Sequence, residues 1–511
     1  MKNLYTYLFL FFIGYFSAQQ TLFQKPINEN QLSSKQKLNS LMSKSYYSTT
    51  YFNENIQNLA QNFNINLPNG KNVSAVFQKK FQYPNKSSSA VYQILNEPNS
   101  EMVLSEYNNV VTGMYVSAQG DKIIFQEVAP NVFAVSSVNE QMLINQDNPD
   151  DTVVLPTEHF NALRTLAHPT VCSGSICTNS TVDVMILYTP DAKDAYGGTS
   201  QSNSFAATAI TNFNIALQNA GVSNVTINLV HAGEISYVES GNISTDLTRL
   251  RTPGDGFMDD AQSLRTLYGA DIVALITSTP TNTCGLGNLN SNPTNYSSNA
   301  AYSVTIFSCV VSNYSLSHEI GHNMGLNHDW YVNTNNNPCS HHHGYINRTA
   351  ITEGTASPTS ARWRTIMAYN NECSELGFNC SRRNLWSNPD VNYNAEPTGI
   401  AIGNPNPSHE AYGFARFACV VSEFMPTAIL STKNTIIEDF DIYPNPVKDQ
   451  LNINTSKNGN YTFNIVNAAG QKLITTKDKK ILLKNYTSGL YYLAIYDEDQ
   501  QLIGTKKFVV K

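Results

Sequence analysis

A chain of 511 residues, 41% hydrophobic and 14% charged, exceeds one ordinary domain and has enough apolar mass for a substantial core, so two to four folded units are expected. Its net charge of -7 excludes the dense basic surface that nucleic-acid binding needs, and nucleic acid is not an expected partner. The many Asn, Ser, Thr and Tyr residues suit a globular extracellular surface better than a disordered one.

The first residues carry one positive charge at Lys2, an apolar run from Leu4 to Phe16, and the small-residue site Ser17-Ala18-Gln19, which reads as a signal peptide over residues 1–18. The run is shorter than the roughly 20 residues that cross a bilayer, and no later segment is long and apolar enough to do so. Eight cysteines in an oxidising compartment favour disulfides, whose pairing the spacing does not decide. Residues 19–175 alternate polar with apolar in short runs, such as Val110 to Val116 and Lys122 to Phe125, and are expected to be β-rich. A polar stretch from Asn145 to Asp151 and the pair Cys172 and Cys177 precede a fresh apolar strand, Val182 to Tyr188, which puts a domain boundary near residue 175.

From Ser200 to Asn219, Phe205, Ala206, Ile210, Phe213 and Leu217 recur at helical spacing, with Gly221 where a helix would be capped. Val225 to Val230 reads as a strand, Thr245 to Leu250 and Met258 to Tyr268 as helices, and Asp271 to Ile276 as a buried strand. Residues 176–425 are therefore a mixed unit. A polar linker is expected over 426–437, and residues 438–511, without cysteine or histidine, read as a small β-sandwich. The predicted class is α+β, with β-rich units on both sides.

The chemistry concentrates in Ser317-His318-Glu319-Ile320-Gly321-His322-Asn323-Met324-Gly325-Leu326-Asn327-His328-Asp329. Residues four apart share a helix face, so His318 and His322 can aim two imidazoles at one ion. Gly325 tolerates the positive φ at which a helix ends, so the chain can turn back and offer His328 as third ligand. Three nitrogen ligands leave a tetrahedral zinc one open position. Water there is acidified, and Glu319 beside a ligand is placed to take its proton and hand it to a leaving amine.

This string resembles the metzincin signature, and HEIGHNMGLNHD is similar to the reprolysin or adamalysin branch, where an aspartate such as Asp329 follows the third histidine. The resemblance extends over about residues 180–424, through Cys284-Gly285-Leu286-Gly287, Ser308-Cys309, Trp363-Arg364-Thr365-Ile366-Met367-Ala368-Tyr369 and Trp386-Ser387-Asn388-Pro389. It implies a twisted mixed sheet with an active-site helix, a methionine turn at Met367 beneath the ligands, and a zinc endopeptidase acting on protein or peptide substrates. Tyr369 stands where astacin- and serralysin-type enzymes place a tyrosine, which implies an oxyanion-stabilising hydroxyl. The tail, from Phe440-Asp441-Ile442-Tyr443-Pro444-Asn445-Pro446 to its last residue, resembles the sorting domain of the bacterial type IX secretion system. That implies a secreted or cell-surface protein with the secretion machinery as partner.

By analogy with such enzymes the N-terminal unit is expected to be an inhibitory propeptide, removed by a cut between about His168 and Val182. Cys172 and Cys177 could join each other in a small loop, or one thiolate could occupy the open zinc position and hold a precursor latent. Cys284, Cys309, Cys339, Cys373, Cys380 and Cys419 are expected to brace the catalytic unit, with Cys284 paired to Cys309. His341-His342-His343 is expected to lie in a solvated loop. Loops between Asn370 and Pro407 are expected to shape the substrate pocket. Two rival readings are a silent zinc-binding adhesin and a zinc hydrolase of a non-peptide bond.

Overall fold

The computed structural model describes residues 20–33, 47–140, 151–155, 172, 174–279, 283–292, 296–425, 440–455, 459–467, 472–496 and 502–511. The expected signal peptide and the linker at 426–437 lie outside them.

The N-terminal unit is a ten-stranded sheet. Its centre is an antiparallel run of consecutive hairpins from Asn72–Gln82 to Val132–Val138, closed on one side by Tyr47–Asn53. One face buries an aromatic core that includes Phe23, Phe52, Phe63, Tyr92, Phe125 and Phe133. This sheet ends at Val138, well short of the boundary expected near residue 175. Thr152–Val154 already runs with the second sheet.

That second sheet is the frame of the mixed unit, expected from its sequence to be the catalytic one. Val225–Glu234, Ser180–Tyr188, Ile272–Thr277 and Tyr302–Ile306 are parallel, and Gly285–Leu289 follows antiparallel. Thr152–Val154 covers the outer edge of Gly285–Leu289 and runs parallel to it. The central strands are buried on both faces, as near-continuous apolar runs require. The helices Ile243–Arg251 and Asp260–Tyr268 cover one face, and Thr199–Asn219 covers the other.

Helix Thr199–Asn219 is buried from Ser202 to Leu217, although its apolar residues make only one stripe. The polar side meets the N-terminal sheet: Ser204 and Thr112 hydroxyls are 2.8 Å apart, Thr208 bonds Ser105 at 2.8 Å, and Tyr83 meets Thr211 at 2.7 Å. Gly221, at φ +74°, follows the cap and lets the chain reverse.

Four disulfides join Cys172 to Cys339, Cys177 to Cys419, Cys284 to Cys309 and Cys373 to Cys380. The Cys172 and Cys177 pairing expected from their proximity in sequence is therefore corrected. Each lies against a different element of the catalytic unit, Cys172 beside Pro338 and Cys177 bonded through its amide to the Ala415 carbonyl. Neither thiolate is available as a metal ligand. The C-terminal unit is a sandwich of a three-stranded and a four-stranded sheet around Leu451, Phe463, Leu493 and Phe508. Among the described residues no helix is long and apolar enough to cross a membrane.

Trp386 ties the helix layer to the site. Its ring lies 4.9 Å from that of Phe213 and 4.8 Å from that of Phe414, and it reaches the active-site helix at Gly321. Trp386→Ala should lower the unfolding midpoint of the catalytic unit by the equivalent of about 3–5 kcal/mol in a urea titration. A loss below about 1 kcal/mol would show that the wedge is not what holds the layers.

Candidate metal centre

The helix Ser315–Asn323 is buried along its whole length, and its one-turn spacing brings the Nε2 atoms of His318 and His322 to 3.2 Å. At Gly325 the backbone turns to φ +88°, and a side chain there would collide with the Tyr296 hydroxyl. The chain returns so that the Nε2 of His328 is 3.0 Å from that of His322. Nδ1 of His318 donates to the Ile366 carbonyl at 2.9 Å and Nδ1 of His322 to that of Leu326 at 2.8 Å. Both tautomers are thereby set with Nε2 as the free lone pair.

The fourth group at this point comes from the N-terminal side. The Asp151 carboxylate lies 3.1 Å from His318 Nε2, 3.5 Å from His322 Nε2 and 2.7 Å from His328 Nε2, and the four ligand atoms all fall within 4.8 Å of one another. Tetrahedral zinc with bonds of about 2.0–2.1 Å would set neighbouring nitrogens roughly 3.3 Å apart, close to these spacings. Burial lowers His318 to about 3 and lowers His328 as well, so these two imidazoles are neutral. The imidazoles beside Asp151 hold its carboxyl well below the usual range against the effect of burial. Three imidazole nitrogens and a carboxylate oxygen are the donor types that a divalent cation takes. The residues fit zinc.

Glu319 is buried next to this point, with Oε2 unpartnered. Burial first, then the Asp151 charge, raises its carboxyl well above the usual range. Edge-strand glycines make room for it: a Cβ on Gly285 would stand 2.2 Å from Glu319 Oε1, and one on Gly287 2.9 Å from the Glu319 carbonyl. Met367 lies beneath the helix, where a Cβ on Gly321 would meet its sulfur at 2.7 Å. Two residues on, the Tyr369 hydroxyl donates to an Asp151 carboxylate oxygen. Asp329 accepts the Tyr369 amide at 2.8 Å and so ties the third-ligand loop to the methionine turn. Burial pushes Asp329 up to about 6.

His341, His342 and His343 are not in a solvated loop: all three are buried. Each finds its own pocket, which alternation along an extended chain does not anticipate. His342 Nδ1 donates to the Gly325 carbonyl at 2.9 Å and His343 Nδ1 to that of His328 at 2.6 Å, while His343 stacks on Trp330 and His341 packs against Tyr412. The cluster buttresses the loop that returns His328. Cys339 lies with His341 and His342, but its sulfur is bonded to Cys172.

Sequence reasoning missed Asp151, noticed only as the end of a polar stretch. A single aspartate more than 160 residues from the helix carries no local signal. It also assigned no role to Gly285, Gly287 or Arg364, although all three lie in quoted strings.

Residues 178–385 match the family described as Metallo-peptidase family M12, and residues 441–511 the secretion system C-terminal sorting domain. The chain is 31% identical over 341 residues to the peptidyl-Asp metalloendopeptidase of Stenotrophomonas maltophilia (strain R551-3), covering 66% of this chain and 75% of that protein. It is 30% identical over 305 residues to the enzyme of that name from Xanthomonas campestris pv. campestris, covering 60% and 66%. A solved structure, metalloproteinase-II from Bacteroides fragilis, overlaps 57% of this chain and 88% of its own at 12% identity and a TM-score of 0.31. The chain belongs to metallo-peptidase family M12. It is a zinc-dependent metalloendopeptidase carrying a secretion sorting domain.

Gly285→Ala should cut peptidase activity about a hundredfold, because it pushes Glu319 by an ångström or so from its place beside the imidazoles, while zinc content stays stoichiometric. Wild-type rates in that variant would show that the strand does not set the position of Glu319.

Proposed function

We propose that this protein is made as a latent precursor of a secreted endopeptidase, in which Glu319 activates the attacking water and the N-terminal unit covers the site until it is cut away. The observation that carries this reading is the Asp151 carboxylate among the three imidazoles. It sits where a substrate carbonyl or a water would have to be.

His318, His322 and His328 would hold zinc, and bound zinc supplies a Lewis acid that polarises a carbonyl and acidifies water. Glu319 takes the proton of the attacking water and delivers it to the leaving nitrogen. The Tyr369 hydroxyl, now given to an Asp151 oxygen, is free after removal of the cover to donate to the oxyanion. Strand Gly285–Leu289 offers an open edge to an extended substrate once Thr152–Val154 leaves it. The relatives' name, peptidyl-Asp metalloendopeptidase, leads us to assign cleavage beside acidic residues to this chain as well.

Glu319→Gln should reduce peptide hydrolysis by about 10²–10⁴-fold while bound zinc, measured by atomic absorption, remains at one per chain. Full activity would remove Glu319 from the mechanism. His322→Ala should lose both metal and activity, and stoichiometric zinc in it would reassign the ligands. Latency has its own test: full-length Asp151→Ala should hydrolyse a small quenched peptide at least tenfold faster than the uncut wild-type chain, with Cys172→Ser serving as a control that stays latent. Equal rates for the Asp151 variant and wild type would leave Asp151 without an inhibitory role.

A further inference from the structure

A second buried carboxylate of the N-terminal unit enters the catalytic unit. Glu140 is 9% exposed, and its Oε1 accepts the Arg382 amide at 3.0 Å and faces Arg364 Nη1 at 3.3 Å. Lys122, of the same N-terminal unit, stands 3.6 Å away. Burial alone would raise this carboxyl, but Lys122, Arg364 and the Arg382 amide together bring it down to about 2. The group is an anion in a seat made of donors.

The seat is built on the methionine turn. Arg364 and Arg382 are register partners in the short parallel ladder of Trp363–Arg364 with Ser381–Arg382. Arg364 Nε and Arg382 Nη2 both donate to the carbonyl of Ala368, at 3.1 and 3.2 Å. Ala368 lies between Met367, beneath the metal ligands, and Tyr369, whose hydroxyl reaches Asp151. The Arg382 guanidinium is 5.9 Å from the Tyr369 ring centre, and its Nη1 donates to the Asn313 carbonyl at 3.1 Å, just before the active-site helix. The carboxylate seat is therefore one side chain away from the position where Asp151 meets the imidazoles.

When the N-terminal unit leaves, Glu140 and Lys122 leave together. Two arginines held by the fold then remain: the Arg382 amide loses its acceptor, while Arg364 Nη1 keeps the Cys380 carbonyl and loses the carboxylate charge beside it. A charge that loses its counter-charge and an amide that loses its acceptor are costly when buried, and a planar guanidinium with an adjacent amide is suited to a carboxylate.

We propose that this seat is the subsite for the acidic side chain of the substrate, with Arg364 and the Arg382 amide as its specificity-determining donors, and that Glu140 occupies it in the uncut chain. This rests on the reading that the enzyme cleaves beside acidic residues. The N-terminal unit thus blocks the enzyme at two points, Asp151 at the metal position and Glu140 in the side-chain pocket.

The test uses the full chain after processing and pairs of quenched peptides that differ only in Asp versus Asn at one position next to the scissile bond. The wild-type ratio of kcat/KM for Asp over Asn should be large, and Arg364→Gln should lower it ten- to a hundredfold, mainly through KM, with Arg364→Lys in between. Because Arg364 also braces the methionine turn, a second arm leaves the enzyme unaltered. A synthetic peptide of residues 136–155 should inhibit processed wild-type enzyme, and its Glu140→Gln form should inhibit at least tenfold less. If the wild-type enzyme shows no preference for acidic peptides, the underlying reading of the substrate fails. If it prefers them but Arg364→Gln keeps the ratio, or both inhibitor peptides act alike, Glu140 makes an interface salt bridge only and the subsite assignment is overturned.

Discussion

Three imidazoles converge on one buried point, and that convergence is unfavourable without a cation to receive their lone pairs. Much of the catalytic unit can be understood as holding it in place. The helix supplies two nitrogens at one-turn spacing, Gly325 supplies the reversal, and the carbonyls of Ile366 and Leu326 fix the tautomers. The buried run His341 to His343 anchors the return loop from behind through the carbonyls of Gly325 and His328. Asp329 fastens the same loop to the methionine turn. A metal site stopped at its first ligands would be loose by an ångström, and these outer bonds prevent that.

The N-terminal unit supplies what such a site attracts. Under the reading proposed above, the two carboxylates take two positions of one site: Asp151 lies among the three imidazoles and Glu140 beside Arg364 and the Arg382 amide. Strand Thr152–Val154 adds backbone pairing to the edge strand that would otherwise be open, in parallel register. In the proposed precursor, inhibition uses the same forces as substrate binding: edge pairing, charge-assisted hydrogen bonds and metal ligation.

Local periodicity made the catalytic unit legible. The long helix at Thr199–Asn219, the strand Ser180–Tyr188 and the buried strand Ile272–Thr277 all lie within a residue or two of their expected limits, because each buries a pattern written in consecutive residues. The His318, His322 and His328 spacing is equally local. Asp151, the partners of Cys172 and Cys177, and the seat around Arg364 and Arg382 were not legible, because each is made by segments distant in sequence and meeting only in the fold. The stretch from Asn370 to Pro407 was expected to shape the substrate pocket and contains Arg382, but its arginines gain meaning only from the ladder that pairs Arg382 with Arg364. His341 to His343 misled for a related reason: a polar run in an Asn-rich segment looks solvated until separate neighbours close around each ring.

The disulfides constrain how such a cover could be removed. Cys172 is bonded to Cys339 and Cys177 to Cys419, so a cut after Cys172 would leave the N-terminal fragment covalently attached to the catalytic unit. A cut between Leu155 and Cys172 frees the fragment together with Asp151, which narrows the expected window to its N-terminal part around His168. The noncovalent interface is suited to hold before that cut and part after it. It mixes a few apolar residues such as Met114 and Ile124 with hydroxyl pairs along helix Thr199–Asn219, and Arg383 donates to the carbonyls of Ser117 and Gln119. Hydroxyls exchange partners with water at little net cost. The helix face that meets the N-terminal sheet is thus largely hydroxyl-bearing, with Ile215 against Val91 and Val103 as its apolar contact.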